Sequence, residues 1–213
     1  MVDSTGCKVY GEGEWKVRVH GTSKRRTWRK LHLGVDESSG EIVAAVLSSN
    51  DVSDGEALPQ LLEQVDEPIA QLSGDGAYDK RPCYQALQGQ QEKQGQSLKG
   101  CALKGCALKV TIPPRRGARI WQHGNRQHGN RQQERLARDE NLREIRRVGR
   151  KKWKQESGYH RRSLAETAMS RYKRIVGEKL RARDFYRQST EAFVGVLMLN
   201  RMTALGMPDS YAV

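Results

Sequence analysis

The sequence is poor in cysteine and has no long apolar run. Its 213 residues include four cysteines, Cys7, Cys83, Cys101 and Cys106, which are too few for a dense disulfide framework. The chain opens with the polar residues MVDSTG, which is not the pattern of a secretory signal peptide. The longest apolar run, 192–199, is too short to cross a membrane. These absences exclude disulfide-rich secreted proteins and membrane-spanning proteins, and they predict a reducing, cytoplasmic setting.

Positive charge dominates the chain and is concentrated in one segment. The sequence has 38 Lys and Arg residues against 25 Asp and Glu residues, a net charge of +13. Residues 115–187 contain 23 basic and 8 acidic residues, net +15, whereas the remainder is net −2. Such a segment suits a polyanion, because each phosphate that it neutralises releases counterions. The segment therefore predicts nucleic-acid binding, with a merely solvated helix face as the alternative.

The order of the expected elements indicates a mixed α/β fold. Residues 26–35 and 41–47 favour two strands of a hairpin, joined by turn residues 36–40. A helix is expected over 55–65, and a short strand over 68–72 runs into a tight turn at Gly74-Asp75-Gly76. The remaining expected elements are helices over 80–91, 134–154, 163–183 and 189–205, the last one packed in a core, and a strand over 108–112.

Two tandem repeats interrupt this pattern. The unit LKGCA occurs twice in 98–107, and the unit QHGNR occurs twice in 122–131. A five-residue unit is too short for a solenoid, so duplication of a short stretch of the gene is the simplest origin. The Gln- and Gly-rich text around the first repeat predicts that 90–109 is an inserted surface loop, which we expect to be dispensable for stability.

The repeats also create an order of residues that resembles a zinc site. Two Cys are followed by two His, which is the ligand set of many structural zinc sites. Each pair exists only because a unit was doubled, and the stretch between the pairs contains Pro113-Pro114 and exceeds the usual length of a finger. The expectation is therefore that these residues do not bind a metal: Cys101, Cys106, His123 and His128.

One constellation near the C-terminal end can carry chemistry. Tyr159, Arg162, Glu166 and Lys173 are three, four and seven positions apart, which places them on one face of a helix. A carboxylate flanked by two cations and a phenol would suit a metal ion and a scissile phosphate. The spacing equally fits an ordinary helix with an i, i+4 ion pair between Arg162 and Glu166, so it leaves both interpretations open.

The same residues, as Y-x2-R-x3-E-x6-K, resemble the C-terminal signature of the DDE transposases of bacterial insertion sequences. Asp75 in SGDGAYD resembles the second acidic motif of that family, and Asp3 in VDSTG resembles the first. Residues 8–21, 26–37 and 199–213 are similar to the insertion-sequence-five type. The resemblance implies a single RNase H-like domain over 1–213, with a mixed sheet flanked by helices. A basic, largely helical insertion, 115–157, would precede the helix that bears Glu166.

The resemblance also implies the chemistry. Asp3, Asp75 and Glu166 would be catalytic and would bind two Mg²⁺ ions, with Mn²⁺ able to substitute. The reaction would be metal-dependent cleavage of DNA and strand transfer of an insertion sequence, first by water and then by the freed 3′-hydroxyl. The partners would be double-stranded element ends and target DNA, without a membrane, and a homodimer when full length, in the cytoplasm with the nucleoid. The expected DNA-binding residues are Tyr159, Arg162, Lys173, Arg146, Arg147, Lys151 and Lys152.

The sequence departs from the family at its start. Only Met1 and Val2 precede Asp3, whereas family members usually carry a few dozen or more residues there. The resemblance therefore predicts a truncated first strand, a frayed Asp3 and impaired transposition. One alternative is a non-catalytic, DNA-binding transposase remnant that uses only the basic segment. A zinc-dependent regulator ranks last.

Overall fold

The computed structural model describes residues 1–9, 28–97, 108–121 and 136–206. Both tandem repeats, and with them the Cys and His residues that resemble a zinc site, lie outside these ranges. Within the ranges, no helix is long and apolar enough to cross a membrane. The strands are β1 (Val2–Val9), β2 (Trp28–Val35), β3 (Ile42–Ser49), β4 (Gln71–Ser73), β5 (Lys109–Thr111) and β6 (Lys179–Leu180). The α-helices are α1 (Asp54–Leu62), α2 (Arg81–Ser97), α3 (Ala137–Val148), α4 (Arg150–Glu156), α5 (Ser163–Ile175) and α6 (Phe185–Ala204).

A four-stranded mixed sheet forms the centre of the fold. Its strand order is β3-β2-β1-β6, in which β3 and β1 are each antiparallel to β2, and β6 is parallel to β1. The strands β4 and β5 form a separate parallel pair. This confirms the predicted hairpin, whose turn is held by the Asp36 carboxylate, which accepts hydrogen bonds from Ser38 and Ser39. Gly40 closes the turn with a φ of 72°, a conformation that disfavours other residues.

Helices cover both faces of the central sheet, as the RNase H-like class requires. On one face, α5 and α6 pack on alternate residues of β2 and β3, and the fully buried members of this core include Leu31, Leu33 and Tyr172. On the other face, α1 and α2 pack with β4 and β5 around Leu58, Tyr78 and other buried residues. Because side chains alternate along each strand, the two faces of the sheet contribute to two separate apolar cores. The prediction of a mixed α/β fold is confirmed.

The junction between the two sheets differs from a continuous RNase H-like sheet. A cavity of about 480 Å³ lies beside Met1 and Val2 and is bounded on its far side by Gln71–Ser73 and the end of α1. Among the described residues, no ladder hydrogen bonds join β4 to β1. Fraying at the start of β1 is not observed, because Asp3 is in register with Leu33 and the backbone of Met1 makes two hydrogen bonds to Val35.

Several predicted boundaries need correction. Residues 90–97 continue helix α2, and Lys109 begins β5, so the predicted loop insertion is wrong at both ends. Residues 98–107 lie outside the described residues. The basic stretch forms two helices rather than one, because Gly149 interrupts it with a φ of 85°. The helix expected over 163–183 stops at Ile175, and the two-residue strand β6 follows. A two-residue strand has no periodicity of its own, so only its pairing with β1 reveals it.

Candidate active site

Three different elements bring the acidic residues toward one end of β1. Asp3 lies on β1, Asp75 is the N-cap of the 3-10 turn Gly76–Tyr78 that follows β4, and Glu166 lies in the first turn of α5. The Asp75 carboxylate accepts a hydrogen bond from the Ala77 amide at 2.8 Å, which fixes its direction. Asp3, Asp75 and Glu166 thus lie on a strand, in a turn after a strand and on a helix, in that order along the chain.

Gly74 allows the turn with Asp75 to approach β1 closely. A Cβ atom at Gly74 would lie 3.2 Å from Cγ2 of Val2 and 3.0 Å from the Tyr78 ring. Any larger residue would push the turn away from the strand, because both neighbours are buried. The absence of a side chain at position 74 therefore sets the separation between the strand that carries Asp3 and the turn that carries Asp75.

A single guanidinium group lies between two of the carboxylates. Arg162 Nη1 is 3.3 Å from Asp3 Oδ2, and Arg162 Nη2 is 2.5 Å from Glu166 Oε1. The predicted i, i+4 pair of Arg162 and Glu166 is thus present, and it extends to a residue 159 positions away. In the described part of the chain, no three His, Cys, Asp or Glu side chains are grouped closely enough to hold a metal.

The negative charges of Asp75 and Glu166 both act on Asp3. Burial raises the pKa of Asp3, and the negative charges of Asp75 and Glu166 raise it further, whereas the Ser4 amide and Arg162 act in the opposite direction. Like charges that act on a half-buried carboxylate are common at functional sites. The donors are hard carboxylate oxygens, the ligand type that Mg²⁺ prefers, so the residues fit a divalent cation in charge and chemistry.

Tyr159 connects this site to the basic helices. It lies in the 3-10 turn Tyr159–Arg162, before α5 begins, so the expected continuous helix through all four signature residues is wrong. The ring has Lys154 Nζ at 4.7 Å and the Arg162 guanidinium at 5.7 Å from its centroid, and it contacts the buried Trp153. The pKa of Tyr159 is raised by burial and by the charges of the three carboxylates.

Lys173 is not drawn into the same cluster. It lies two turns beyond Glu166 on α5, a rise of about 10 Å. Its charge acts on Cys7 and Glu178, near the opposite end of β1. The sequence pattern predicted the correct face of the helix for Lys173. Because α5 runs alongside β1, however, Lys173 lies farther along the helix and away from Asp3.

The other predicted DNA-binding residues lie on α3 and α4. Arg146 and Arg147 are in the last turn of α3, and Lys151 and Lys152 are in α4; all four are exposed. Exposed intrahelical pairs, Arg147 with Glu144 and Lys152 with Glu156, are present on this surface. The end of α4 is held against the β4–β5 pair, because the Ser157 carbonyl accepts hydrogen bonds from Gln71 and Lys109.

A buried ionic network, which the sequence did not suggest, supports the turn that follows Asp75. Arg138 is 3% exposed; its Nε is 2.7 Å from Asp79 Oδ1, its Nη1 is 3.2 Å from Asp139 Oδ1, and its guanidinium lies 3.7 Å from the Trp121 ring centroid. Asp79 also accepts from the Arg115 amide. The network links the Gly76–Tyr78 turn to α3. Within a run of 23 basic residues, nothing in the sequence distinguishes Arg138 from its solvated neighbours.

A second polar cluster lies beneath β1 and was also missed. Asp54, at the start of α1, accepts a hydrogen bond from Ser4 Oγ at 2.7 Å, and Lys30 Nζ is 3.7 Å away. His32 is completely buried, with Nε2 2.8 Å from Ser48 Oγ and Nδ1 3.7 Å from Asp54 Oδ1. Burial lowers the pKa of His32. A histidine in a strand of mixed residues gives no sequence signal of this role.

Comparison with known proteins identifies the family to which the chain belongs. The chain matches the family model described as Transposase DDE domain over residues 1–201. The match covers most of the chain, and the chain therefore belongs to the transposase DDE domain family. No solved structure matches it. The predicted family is confirmed, and with it DNA transposition as the general function and DNA as the partner.

Proposed function

We propose that this protein cleaves DNA and joins DNA strands in a metal-dependent transposition reaction of an insertion-sequence-five type element. The observation that carries the proposal is the meeting of Asp3 and Glu166 at Arg162, with Asp75 within electrostatic reach of Asp3. In this proposal Asp3, Asp75 and Glu166 bind two Mg²⁺ ions, or Mn²⁺ in their place. Bound there, such ions stabilise the attacking and leaving oxygens of an in-line displacement at phosphorus.

The residues around the carboxylates would position the DNA. A guanidinium binds phosphate and carboxylate oxygens with the same planar geometry. Once Arg162 no longer contacts Asp3, its hydrogen-bond donors could therefore bind a phosphate. Tyr159 would orient Arg162 by stacking, and Lys154 lies on the same ring. Arg146, Arg147, Lys151 and Lys152 would bind the duplex backbone farther out, without reading its sequence. Lys173 would bind DNA at the far end of α5, away from the reacting phosphate.

Cleavage and joining of labelled duplexes that carry the sequences flanking the gene would test this chemistry. With Mg²⁺ or Mn²⁺, Asp3→Asn, Asp75→Asn and Glu166→Gln should each reduce cleavage by on the order of a thousandfold, about 4 kcal/mol of transition-state stabilisation. Asp66→Asn, at an exposed acidic position outside the site, should leave the rate unchanged. Equal cleavage by the three variants and this control would contradict the proposal.

A non-catalytic, DNA-binding remnant is the second candidate function. Among the described residues, Arg162 lies between Asp3 and Glu166, and no group of carboxylates is close enough to hold a metal ion. This arrangement favours the second candidate. Both candidates bind DNA with an affinity that falls steeply as salt rises, because phosphate contacts release counterions. Only the enzyme converts bound duplex to cleaved product when Mg²⁺ or Mn²⁺ is added, so this conversion distinguishes them.

We also propose that the protein forms a homodimer and associates with the nucleoid, because transposition must engage two element ends on DNA.

A further inference from the structure

Ser4 follows Asp3 on β1 and connects it to a helix on the other face of the sheet. The backbone amide of Ser4 donates a hydrogen bond to Asp3 Oδ1 at 2.8 Å, and the Ser4 hydroxyl donates one to Asp54 Oδ1 at 2.7 Å. Because side chains alternate along a strand, the Asp3 carboxylate points toward Arg162, whereas the Ser4 hydroxyl points toward the start of α1. One residue therefore joins a proposed metal ligand to a carboxylate on the opposite face.

The position of Ser4 in the strand ladder makes its amide available for this contact. Met1 and Val35 exchange both of their backbone hydrogen bonds, and such pairs recur at every second residue of an antiparallel ladder. Asp3 therefore directs its amide toward Leu33 of β2, and Ser4 directs its amide away from β2. Among the described strands, none pairs with β1 on that side at this level, so the Ser4 amide binds the Asp3 carboxylate.

Asp54 is a well-held acceptor for the Ser4 hydroxyl. It is the first residue of α1, where the helix dipole stabilises a negative charge. Its side chain is only 21% exposed, and Lys30 Nζ and His32 Nδ1 each lie 3.7 Å from Oδ1, the same oxygen that Ser4 contacts. The carboxylate therefore has a cation and a buried imidazole around it, and its position does not depend on Ser4 alone.

Tyr78 places the turn that follows Asp75 beside the same cluster. Its side chain is completely buried, and its hydroxyl makes no hydrogen bond to the described residues. Burial raises the pKa of Tyr78, and the negative charges of Asp54, Asp3 and Asp75 raise it further. The hydroxyl thus lies within electrostatic reach of Asp54 and of two proposed metal ligands. Asp54 is therefore close to the place where α1, β1 and the turn after β4 meet.

We propose that Ser4 and Asp54 are positioning residues for Asp3, in which Asp54 holds the Ser4 hydroxyl and Ser4 holds the Asp3 carboxylate in the orientation that binds a divalent cation. Removal of a group that supports a metal ligand from behind commonly lowers metal affinity by about 10- to 100-fold. The inference rests on the proposed function, because it takes Asp3 as a metal ligand. If the same bonds only stabilised the fold, their loss would lower stability and leave metal affinity unchanged.

Mn²⁺ binding to the full chain without DNA tests this role. Electron paramagnetic resonance measures free Mn²⁺ at one pH and at a temperature where circular dichroism shows every variant to be folded. Ser4→Ala should weaken Mn²⁺ binding about tenfold, because its hydrogen bond to Asp54 is lost, and Ser4→Thr should restore binding, because the hydroxyl is retained. Asp54→Ala should weaken binding to a similar extent.

The double variant Ser4→Ala, Asp54→Ala shows whether the two residues act through one hydrogen bond. Its Mn²⁺ affinity should be no lower than that of either single variant, because each substitution alone already removes the bond. A direct effect of the Asp54 charge on the cation would instead add to the loss caused by Ser4→Ala. Losses that multiply in the double variant would therefore overturn the proposal.

Ser48→Ala is the matched control. Ser48 is 7% exposed, and its hydroxyl lies 2.8 Å from His32 Nε2, on the side of the imidazole away from Asp54. This variant should lose stability and keep the wild-type Mn²⁺ affinity. Equal weakening of Mn²⁺ binding by Ser48→Ala and Ser4→Ala would overturn the proposal.

Asp3→Asn separates failure of this inference from failure of the proposed function. It should weaken Mn²⁺ binding more than Ser4→Ala does, because it changes the ligand itself. If Asp3→Asn binds Mn²⁺ as the wild type does, the proposed function fails and this inference fails with it. If Asp3→Asn weakens binding whereas Ser4→Ala and Asp54→Ala do not, only the positioning role is overturned.

Discussion

Arg162 donates a hydrogen bond to Asp3 across 3.3 Å while its other terminal nitrogen contacts Glu166 at 2.5 Å. One cation thus joins two of the three carboxylates that we propose as metal ligands. Because its side chain is 24% exposed and that of Asp3 is 17% exposed, solvent screens this interaction only in part. A divalent cation that binds Asp3 and Glu166 must therefore compete with Arg162.

Replacing Arg162 should change metal affinity and DNA affinity in opposite directions. Arg162→Gln removes the internal competitor and should tighten Mn²⁺ binding about fivefold, which corresponds to ~1 kcal/mol for a partly exposed pair. The same variant should bind duplex DNA more weakly, because a phosphate contact is lost. Titration calorimetry with Mn²⁺ and a DNA-binding titration measure the two effects.

Arg161→Gln is the control for this experiment. Arg161 is adjacent in sequence, but its side chain is 69% exposed and pairs with Glu37, away from the carboxylates. It should leave Mn²⁺ affinity unchanged. If Arg162→Gln weakens Mn²⁺ binding, Arg162 supports the site instead of competing for it.

The buried Arg138 network should contribute strongly to stability. Arg138→Ala removes the guanidinium that contacts the carboxylates of Asp79 and Asp139, both of which are buried. Loss of one partner of a buried ion pair costs about 3–5 kcal/mol. Arg143→Ala removes an exposed i, i+3 pair with Glu140 and should cost less than ~1 kcal/mol. Urea unfolding followed by circular dichroism compares the two, and equal losses would contradict the assignment of Arg138 as a structural cation.

Parts of the fold that depend on local pattern are predictable from the sequence. The hairpin follows from two alternating strands around Asp36–Gly40, and the turn at Asp75 follows from its two flanking glycines. The order of the three carboxylates came from resemblance. The Arg138 network, the cluster of Asp54 and His32, and the strand β6 depend on residues far apart in sequence, and a single sequence contains no signal for such pairings. Helix α6 was identified, but its apolar composition could not show that only one side is covered.

Two glycines in helices should respond oppositely to alanine. A Cβ at Gly195 of α6 would lie 2.7 Å from Val176 Cγ1 and 2.9 Å from Tyr172 Cε2, and Tyr172 is 1% exposed. Gly195→Ala should therefore cost about 1–3 kcal/mol through overpacking between α5 and α6. A Cβ at Gly89 of α2 would have nothing within 4 Å, so Gly89→Ala should gain about 0.5–1 kcal/mol from helix propensity. Chemical denaturation of both variants checks the sign, and a stabilised Gly195→Ala would contradict the described packing.

His32 should make the protein less stable in mild acid. Burial lowers the pKa of His32 below its ordinary 6.5. The negative charge of Asp54 raises this pKa, and the positive charge of Lys30 lowers it further. The unfolded imidazole takes up a proton as the pH falls below about 6.5, whereas the folded one remains neutral down to its lower pKa. The free energy of unfolding should therefore decrease over that interval, with a limiting slope of ~1.4 kcal/mol per pH unit, and should be independent of His32 above it.

His32→Asn should remove this part of the pH dependence, because the buried side chain can no longer be protonated. His160→Asn changes an exposed imidazole and should leave the pH dependence as it is in the wild type. Denaturant unfolding of the three proteins at pH 5, 6, 7 and 8 gives the comparison. Parallel curves for the wild type and His32→Asn would mean that another group is responsible, since Asp54 and Lys30 would still be present in both proteins.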